Sequence, residues 1–202
     1  MKLFFNYCSF GFSNCYVLGA DEGSDAIIID PGCMDRQILE HIENNALNPG
    51  AALITHAHSS HVHGLKTLRR IYEVEIFAIN RFVQDCKTTP VKDGDIITVG
   101  PFTVEVFSIP GHSADSVVYR IGSFLFTGDV LTSGLVGTTA SSYGATTQMN
   151  SLRSRLLSLP GDYTLFPGHG PPSTMEAERR FNAGIAQYNE MQNRRPAVRI
   201  SL

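Results

Sequence analysis

Thr55-His56-Ala57-His58-Ser59-Ser60-His61-Val62-His63-Gly64 holds four of the seven histidines of a 202-residue chain. It follows directly on Ala51-Ala52-Leu53-Ile54, an apolar run that reads as a buried strand. Three more metal-capable residues recur downstream, each after an apolar run. They are His112 in Pro110-Gly111-His112-Ser113, Asp129 in Phe126-Thr127-Gly128-Asp129, and His169 in Pro167-Gly168-His169-Gly170. Neutral imidazole is the commonest protein metal ligand, and carboxylate joins it readily around zinc or iron. Side chains at the ends of several strands meet at one point only when those strands lie side by side. The pattern therefore predicts a metal held at the rim of a sheet.

Outward from this stretch, short apolar runs alternate with amphipathic ones. Residues 14–18, 26–30, 51–55 and 75–79 read as strands. Residues 34–46 carry Ile38, Leu39, Ile42 and Ala46 at helical spacing, and 60–72 and 81–86 also read as helices. Four strands then come in quick succession, at 95–99, 102–109, 116–121 and 124–127. Glycine-containing turns join them, which predicts antiparallel meanders. The Gly/Ser/Thr-rich stretch 132–147 has no strong period and reads as a loop near the site. A helix at 151–159, a strand at 163–166 and a closing helix at 174–191 complete the chain. The expected class is mixed α/β, in one domain over 1–202, with two sheets face to face and helices outside each.

Composition narrows the function. Hydrophobic residues make up 43% and formal net charge is −3. That balance leaves no electrostatic footprint for nucleic acid, and the small cluster Lys66, Arg69 and Arg70 reads as a solvated helix face. No apolar segment approaches the ~20 residues of a membrane span. The start, Met1-Lys2-Leu3-Phe4-Phe5-Asn6-Tyr7, is a brief apolar run without a small-residue cleavage site, so a cytoplasmic protein is expected. The four cysteines, 8, 15, 33 and 86, form no CxxC pair. Cys33, after Asp30-Pro31-Gly32, reads as a buried apolar residue close to the site.

These motifs, with Ser116-Val117-Val118-Tyr119 and the closing Phe166-Pro167-Gly168-His169-Gly170-Pro171, resemble the metallo-β-lactamase superfamily and, within it, the glyoxalase II-like hydrolases. The resemblance runs nearly end to end and implies a four-layered αββα sandwich with metals at the shared edge of its sheets. It also implies that His56, His58 and His112 hold a first metal, that Asp129 bridges to a second, and that His61 and His169 help hold the second. Thr55 and Asp30 take the place of residues that orient ligands. The implied cofactor is zinc, one ion or two, with iron or manganese as alternatives, and the implied partner is a small-molecule substrate. Oligomeric state is not legible.

The chain departs from the family pattern HxHxDH at one position: Ser60 stands where the aspartate would be. A serine hydroxyl is a poor ligand and no general base near neutral pH. The second metal position is thus expected to be weakened, while the first keeps its set. His63 reads as a surface histidine, with a compensating ligand as the alternative. His41 reads as solvated, Ser113 and Asp115 as hydrogen-bonding residues, and Tyr143 as a residue that can reach the pocket. Glutathione specificity is not carried over. The stretch Leu135-Val136-Gly137-Thr138-Thr139 lacks the basic residue that often follows the glycine, and no further helical region follows the closing helix.

Three functional readings follow. The first is hydrolysis of an ester, thioester or lactone by a metal-activated water, with Asp129 as the catalytic carboxylate. A second is a mononuclear iron persulfide dioxygenase, with His56, His112 and Asp129 as its facial triad. The third is a degenerate protein that keeps the metal without the reaction.

Overall fold

The computed structural model describes residues 1–193. The chain opens with strands β1 (Lys2–Cys8), β2 (Ser13–Gly19) and β3 (Asp25–Ile29), then helix α1 (Arg36–Asn44) and strand β4 (Asn48–Leu53). Two short helices follow, α2 (Ser59–Val62) and α3 (Leu65–Ile71), then β5 (Glu75–Ala78), the small hairpin β6 (Phe82–Val83) and β7 (Cys86–Lys87), and β8 (Thr89–Pro90). The second half runs through β9 (Ile96–Val99), β10 (Phe102–Ser108), β11 (Val117–Ile121) and β12 (Phe124–Gly128). The hairpin β13 (Leu131–Thr132) and β14 (Leu135–Val136), helix α4 (Ser142–Ser151), β15 (Thr164–Pro167), β16 (Ser173–Thr174), α5 (Met175–Phe181) and α6 (Ala183–Asn193) follow.

Period-two alternation builds three apolar layers from two six-stranded sheets. The sheets run β1-β2-β3-β4-β5-β8 and β16-β15-β12-β11-β10-β9. Ile27, Ile29, Ala51 and Leu53 point from the first sheet into a core shared with Val104, Val106, Tyr119 and Phe126 of the second. Their sequence neighbours Ile28, Ala52 and Ile54 face the other way, onto Ile38 and Ile42 of α1 and Leu65 and Leu68 of α3. On the far side, Val118, Leu125 and Leu165 meet Met149, Leu152, Met175 and Ile185. The result is the αββα sandwich. Among the described residues, no helix is long and apolar enough to cross a membrane.

Five expectations are corrected. Residues 81–86 form no helix: Gln84 and Asp85 take positive φ, 46° and 63°, and turn β6 into β7. Paired positive-φ residues are the geometry of a two-residue hairpin, which helical spacing alone cannot exclude. The stretch 132–147 is no loop either. It holds the β13–β14 hairpin, turned at Gly134 with φ +79°, and most of α4. Helix α4 starts where the Ser141 hydroxyl accepts from Gly144 N–H (3.0 Å). Packing of Gln148 and Met149 holds it in spite of poor helix formers, and the next residues, Leu152–Leu156, continue it as a π-helical turn. The closing helix is broken at Asn182, which leaves helical geometry and accepts from Ile185 N–H (3.1 Å), so it caps a new helix. The expected 60–72 helix is two pieces, separated at His63–Gly64. The opening residues, expected only as an apolar run, form β1 against β2.

Phe126 is fully buried between the sheets, its ring against those of Tyr16 (5.5 Å between centroids) and Phe166 (5.4 Å). Phe126→Ala should lower unfolding stability by about 3–5 kcal/mol, read from urea denaturation.

Candidate metal centre

Each candidate ligand sits just past a strand or on the turn that follows one. His56 and His58 lie on the loop after β4, His61 in α2, His112 after β10, Asp129 immediately after β12, and His169 after β15. Strand ends of an α/β sheet are where ligands gather, because connections there are free to vary. Close backbone approach brings the ends together. A Cβ at Gly168 would lie 2.3 Å from the His61 ring and 2.5 Å from Asp129 Oδ1, so only glycine lets these segments meet. Asn14 Nδ2 donates to the carbonyls of Pro167 (2.9 Å) and Gly170 (2.8 Å), and the Tyr16 hydroxyl donates to Pro167 (2.6 Å), fixing the loop that carries His169.

Two sets of donors result. In the first, His56 Nε2 lies 2.9 Å from His58 Nδ1, and His112 Nε2 lies 3.1 Å from the same nitrogen. Asp129 Oδ2 is 3.7 Å from His56 Nε2 and 3.6 Å from His112 Nε2. Tetrahedral coordination with bonds of about 2.0–2.1 Å places ligand atoms about 3.3–3.4 Å apart, the middle of this range. In the second, His61 Nε2 is 3.3 Å from Asp129 Oδ2, and His169 Nδ1 is 2.8 Å from Asp129 Oδ1. The two sets share Asp129.

The outward-facing nitrogens are all but one tied to the protein. His61 Nδ1–H donates to Asp30 Oδ2 (2.9 Å), His112 Nδ1–H to the Thr138 carbonyl (2.9 Å) and His169 Nε2–H to the Gly11 carbonyl (3.1 Å). His56 Nδ1 is 3.2 Å from the Thr55 hydroxyl, which itself donates to Asp30 Oδ2 (2.6 Å). A partner on one imidazole nitrogen fixes the tautomer and aims the other lone pair, the usual arrangement of metal-ligating histidine. His61 Nε2 is the sharpest test of fit: it is buried and makes no hydrogen bond. Its 3.3 Å approach to Asp129 lacks hydrogen-bond alignment, so the two atoms face a common point rather than each other. The donor set suits a divalent transition ion.

Electrostatics agree. Burial, with His61 alongside, pushes His56 down to about 3, so it is a neutral donor. Burial also disfavours charge on His61, but the Asp30 and Asp129 carboxylates override it and push the ring up to about 10. A metal ion held by His61 would take the place of that proton. Burial would raise Asp129, yet the neighbouring His169 and His61 rings hold its carboxyl far below the usual carboxylate range.

Other expectations resolve as follows. The Ser60 carbonyl accepts from the Ser13 hydroxyl (2.5 Å) and its Cβ packs against Gly11. His63 is exposed and stacks on Phe10 with ring centroids 4.0 Å apart, away from the donors. Tyr143 is 81% exposed and lines no groove at the centre. His41 is half-buried against Phe4 rather than solvated. Asp115 accepts from Ala57 N–H (3.0 Å) and Asn80 Nδ2 (2.8 Å), bracing the loop between His56 and His58. Cys33 is half-buried, accepts from Asn6 Nδ2 (3.3 Å) and joins no donor set. The Gly11 and Thr138 carbonyls were not foreseen: a backbone oxygen leaves no mark on residue type. Asn14, whose side chain ties two strands to the His169 loop, also went unread as part of the site.

The chain belongs to the metallo-β-lactamase superfamily, whose family model matches residues 8–169. It is 30% identical over 193 residues to the hydroxyacylglutathione hydrolase GloC of Haemophilus influenzae, covering 84% of this chain and 91% of that one. It is 32% identical over 178 residues to human mitochondrial persulfide dioxygenase ETHE1, covering 83% of this chain and 69% of that one. Among solved structures, the BLEG-1 B3 metallo-β-lactamase superposes with a TM-score of 0.80 at 27% identity, over 91% of this chain and 99% of that one.

Asp30 is 2% exposed and adopts φ +48°, a strained geometry kept by the three donors its carboxylate accepts. Asp30→Asn should weaken metal binding about 10- to 100-fold, measured by competition with a chromogenic chelator.

Proposed function

We propose that this protein is a metal-dependent hydrolase that cleaves an ester, thioester or lactone at the His/Asp centre, with zinc as the metal. The observation that carries the reading is the four-donor set of His56, His58, His112 and Asp129, whose ligand atoms all lie within 4.8 Å of one another beside an open groove. A cation held there supplies a Lewis acid for the substrate carbonyl and lowers the pKa of water toward neutrality. The rest falls to the chain. His56, His58 and His112 hold neutral lone pairs in place. Asp129 orients the attacking water and, with no carboxylate at 60, is the acid–base group nearest the reacting atoms. The Thr132–Thr138 segment walls the groove in which the substrate lies. Reactive acyl groups suit a nucleophile with so little proton assistance. Similarity to hydroxyacylglutathione hydrolase GloC supports the reading.

The second donor set has three members, one of them the shared Asp129, and so holds its ion less tightly. Metal titration should resolve a tight first equivalent and a weaker second. His169→Ala should remove only the second, and His112→Ala should weaken the first at least 100-fold. Two equivalents of equal affinity would contradict this assignment.

Hydrolysis is tested with purified protein, its metal-to-chain ratio known, on a panel of neutral thioesters and lactones. Cleavage should vanish on chelation and return with zinc. Ser60→Asp should raise kcat/KM roughly 100-fold, the low end of what a positioned general base contributes. A metal-loaded chain inert on the whole panel, with and without Ser60→Asp, would overturn the hydrolase reading.

A second reading rests on the same residues. His56, His112 and Asp129 form a two-histidine, one-carboxylate face, and the match to human persulfide dioxygenase favours it. Iron in the purified protein, with oxygen consumption that depends on persulfide, would establish that reading in place of hydrolysis.

A further inference from the structure

A second cavity, of about 310 Å³, lies beside the groove over the donors. It lies between β14, α4 and α6. Its walls include Val136, Ala145, Met149, Tyr188 and Met191, and none of the described residues lining it carries a charge. The groove against His112, Asp129 and His169 is smaller, about 190 Å³. The two share Val136 and Gly137 as a common wall. A ligand whose reacting group lies at Asp129 therefore has a direct path over Gly137 into an uncharged, mainly apolar chamber at the lower bound of ligand-pocket volumes, about 300 Å³.

The chamber is tied to the centre by construction. The Gln148 side chain donates to the Gly137 carbonyl (2.9 Å). Helix α4 also presses on the loop of His112: a Cβ at Gly111 would lie 2.3 Å from Gln148 Cβ. The Tyr188 hydroxyl donates to Asn150 (3.2 Å), joining α6 to α4 across the chamber. These contacts keep chamber and groove in register.

We propose that this chamber is the specificity pocket of the site and that it takes the aliphatic arm of an acyl substrate, so that medium-chain acyl thioesters or alkyl-substituted lactones are preferred over short or charged ones. This rests on the hydrolase reading above. A charged arm is disfavoured because no described lining side chain offers it a counter-charge, and desolvating an unpaired charge is costly.

The test uses N-acetylcysteamine thioesters from acetyl to decanoyl, and in parallel the matching S-alkyl thioethers, which cannot be hydrolysed, by calorimetry. Each added methylene should raise kcat/KM and thioether affinity about fourfold until the chamber is full, since a buried methylene is worth about 0.8 kcal/mol. Ala145→Trp, from α4, and Gln187→Trp, from α6, each place a ring in the chamber from an exposed position. Both should flatten the chain-length dependence in both series while the metal-to-chain ratio stays the same. Cleavage with no dependence on chain length would overturn the pocket and leave the hydrolase standing. Thioethers that bind with this dependence, in a metal-loaded protein that cleaves neither thioester nor lactone with or without Ser60→Asp, would keep the pocket and overturn the hydrolase. Chain-length dependence untouched by both tryptophans would place the arm elsewhere and overturn the proposal.

Discussion

A single buried carboxylate decides where the imidazoles can point. Asp30 directly follows β3 and is almost wholly excluded from solvent. An ionised carboxylate at such a position is tolerated only when its lone pairs are used. They are: Thr55 N–H (2.7 Å), the Thr55 hydroxyl (2.6 Å) and His61 Nδ1 (2.9 Å) all converge on it. The first two contacts fix the residue that precedes His56. The third orients a histidine on a different element. Asp30 thereby couples the end of β3 to the end of β4 and to α2, and the backbone accepts φ +48° to put the carboxylate there.

The second constraint is the meeting of the molecule's two halves. His56, His58 and His61 come from the first half, and His112, Asp129 and His169 from the second. No local rule brings them together; the shared core between the sheets does. Tyr16 shows how fold and site are joined. Its ring packs on Phe126 and Phe166 in that core, and its hydroxyl reaches the Pro167 carbonyl beneath His169. The tip of the β1–β2 hairpin closes the arrangement from the other side, where the Gly11 carbonyl accepts from His169.

Much of this was legible from residue types. Apolar runs such as Ala26–Ile29 and Val117–Tyr119, set between amphipathic stretches, mark a mixed α/β chain, and the histidine-rich stretch with His112, Asp129 and His169 stands out by recurrence after such runs. The family resemblance supplied the αββα layers, the choice of His61 over His63, and the roles of Asp30 and Thr55. What escaped lies in the backbone or in tertiary packing. Gly11 and Thr138 act through carbonyls. Gln84-Asp85 makes a turn whose positive φ values no hydrophobic period reports. The Ser/Thr-rich segment of α4 has weak helix propensity, and burial of Gln148 and Met149 overrides it. Asn182 interrupts a periodic stretch because its side chain caps the next helix, a competition that periodicity does not weigh.

Ser60 has to be judged against this framework rather than as an isolated loss. Removing a carboxylate from the second donor set leaves Asp129 as the one anion in contact with both sets. Yet Asp30 stands directly behind His61, 2.9 Å from its Nδ1. Through that ring its charge reaches the second set, as a carboxylate behind a ligating histidine raises the basicity of the ligand. On the hydrolase proposal, Ser60 offers neither a ligand nor a proton acceptor, while Asp30 behind His61 supplies negative potential that draws a cation. Binding at the second set then rests on Asp30, His61, Asp129 and His169, and proton handling falls to Asp129.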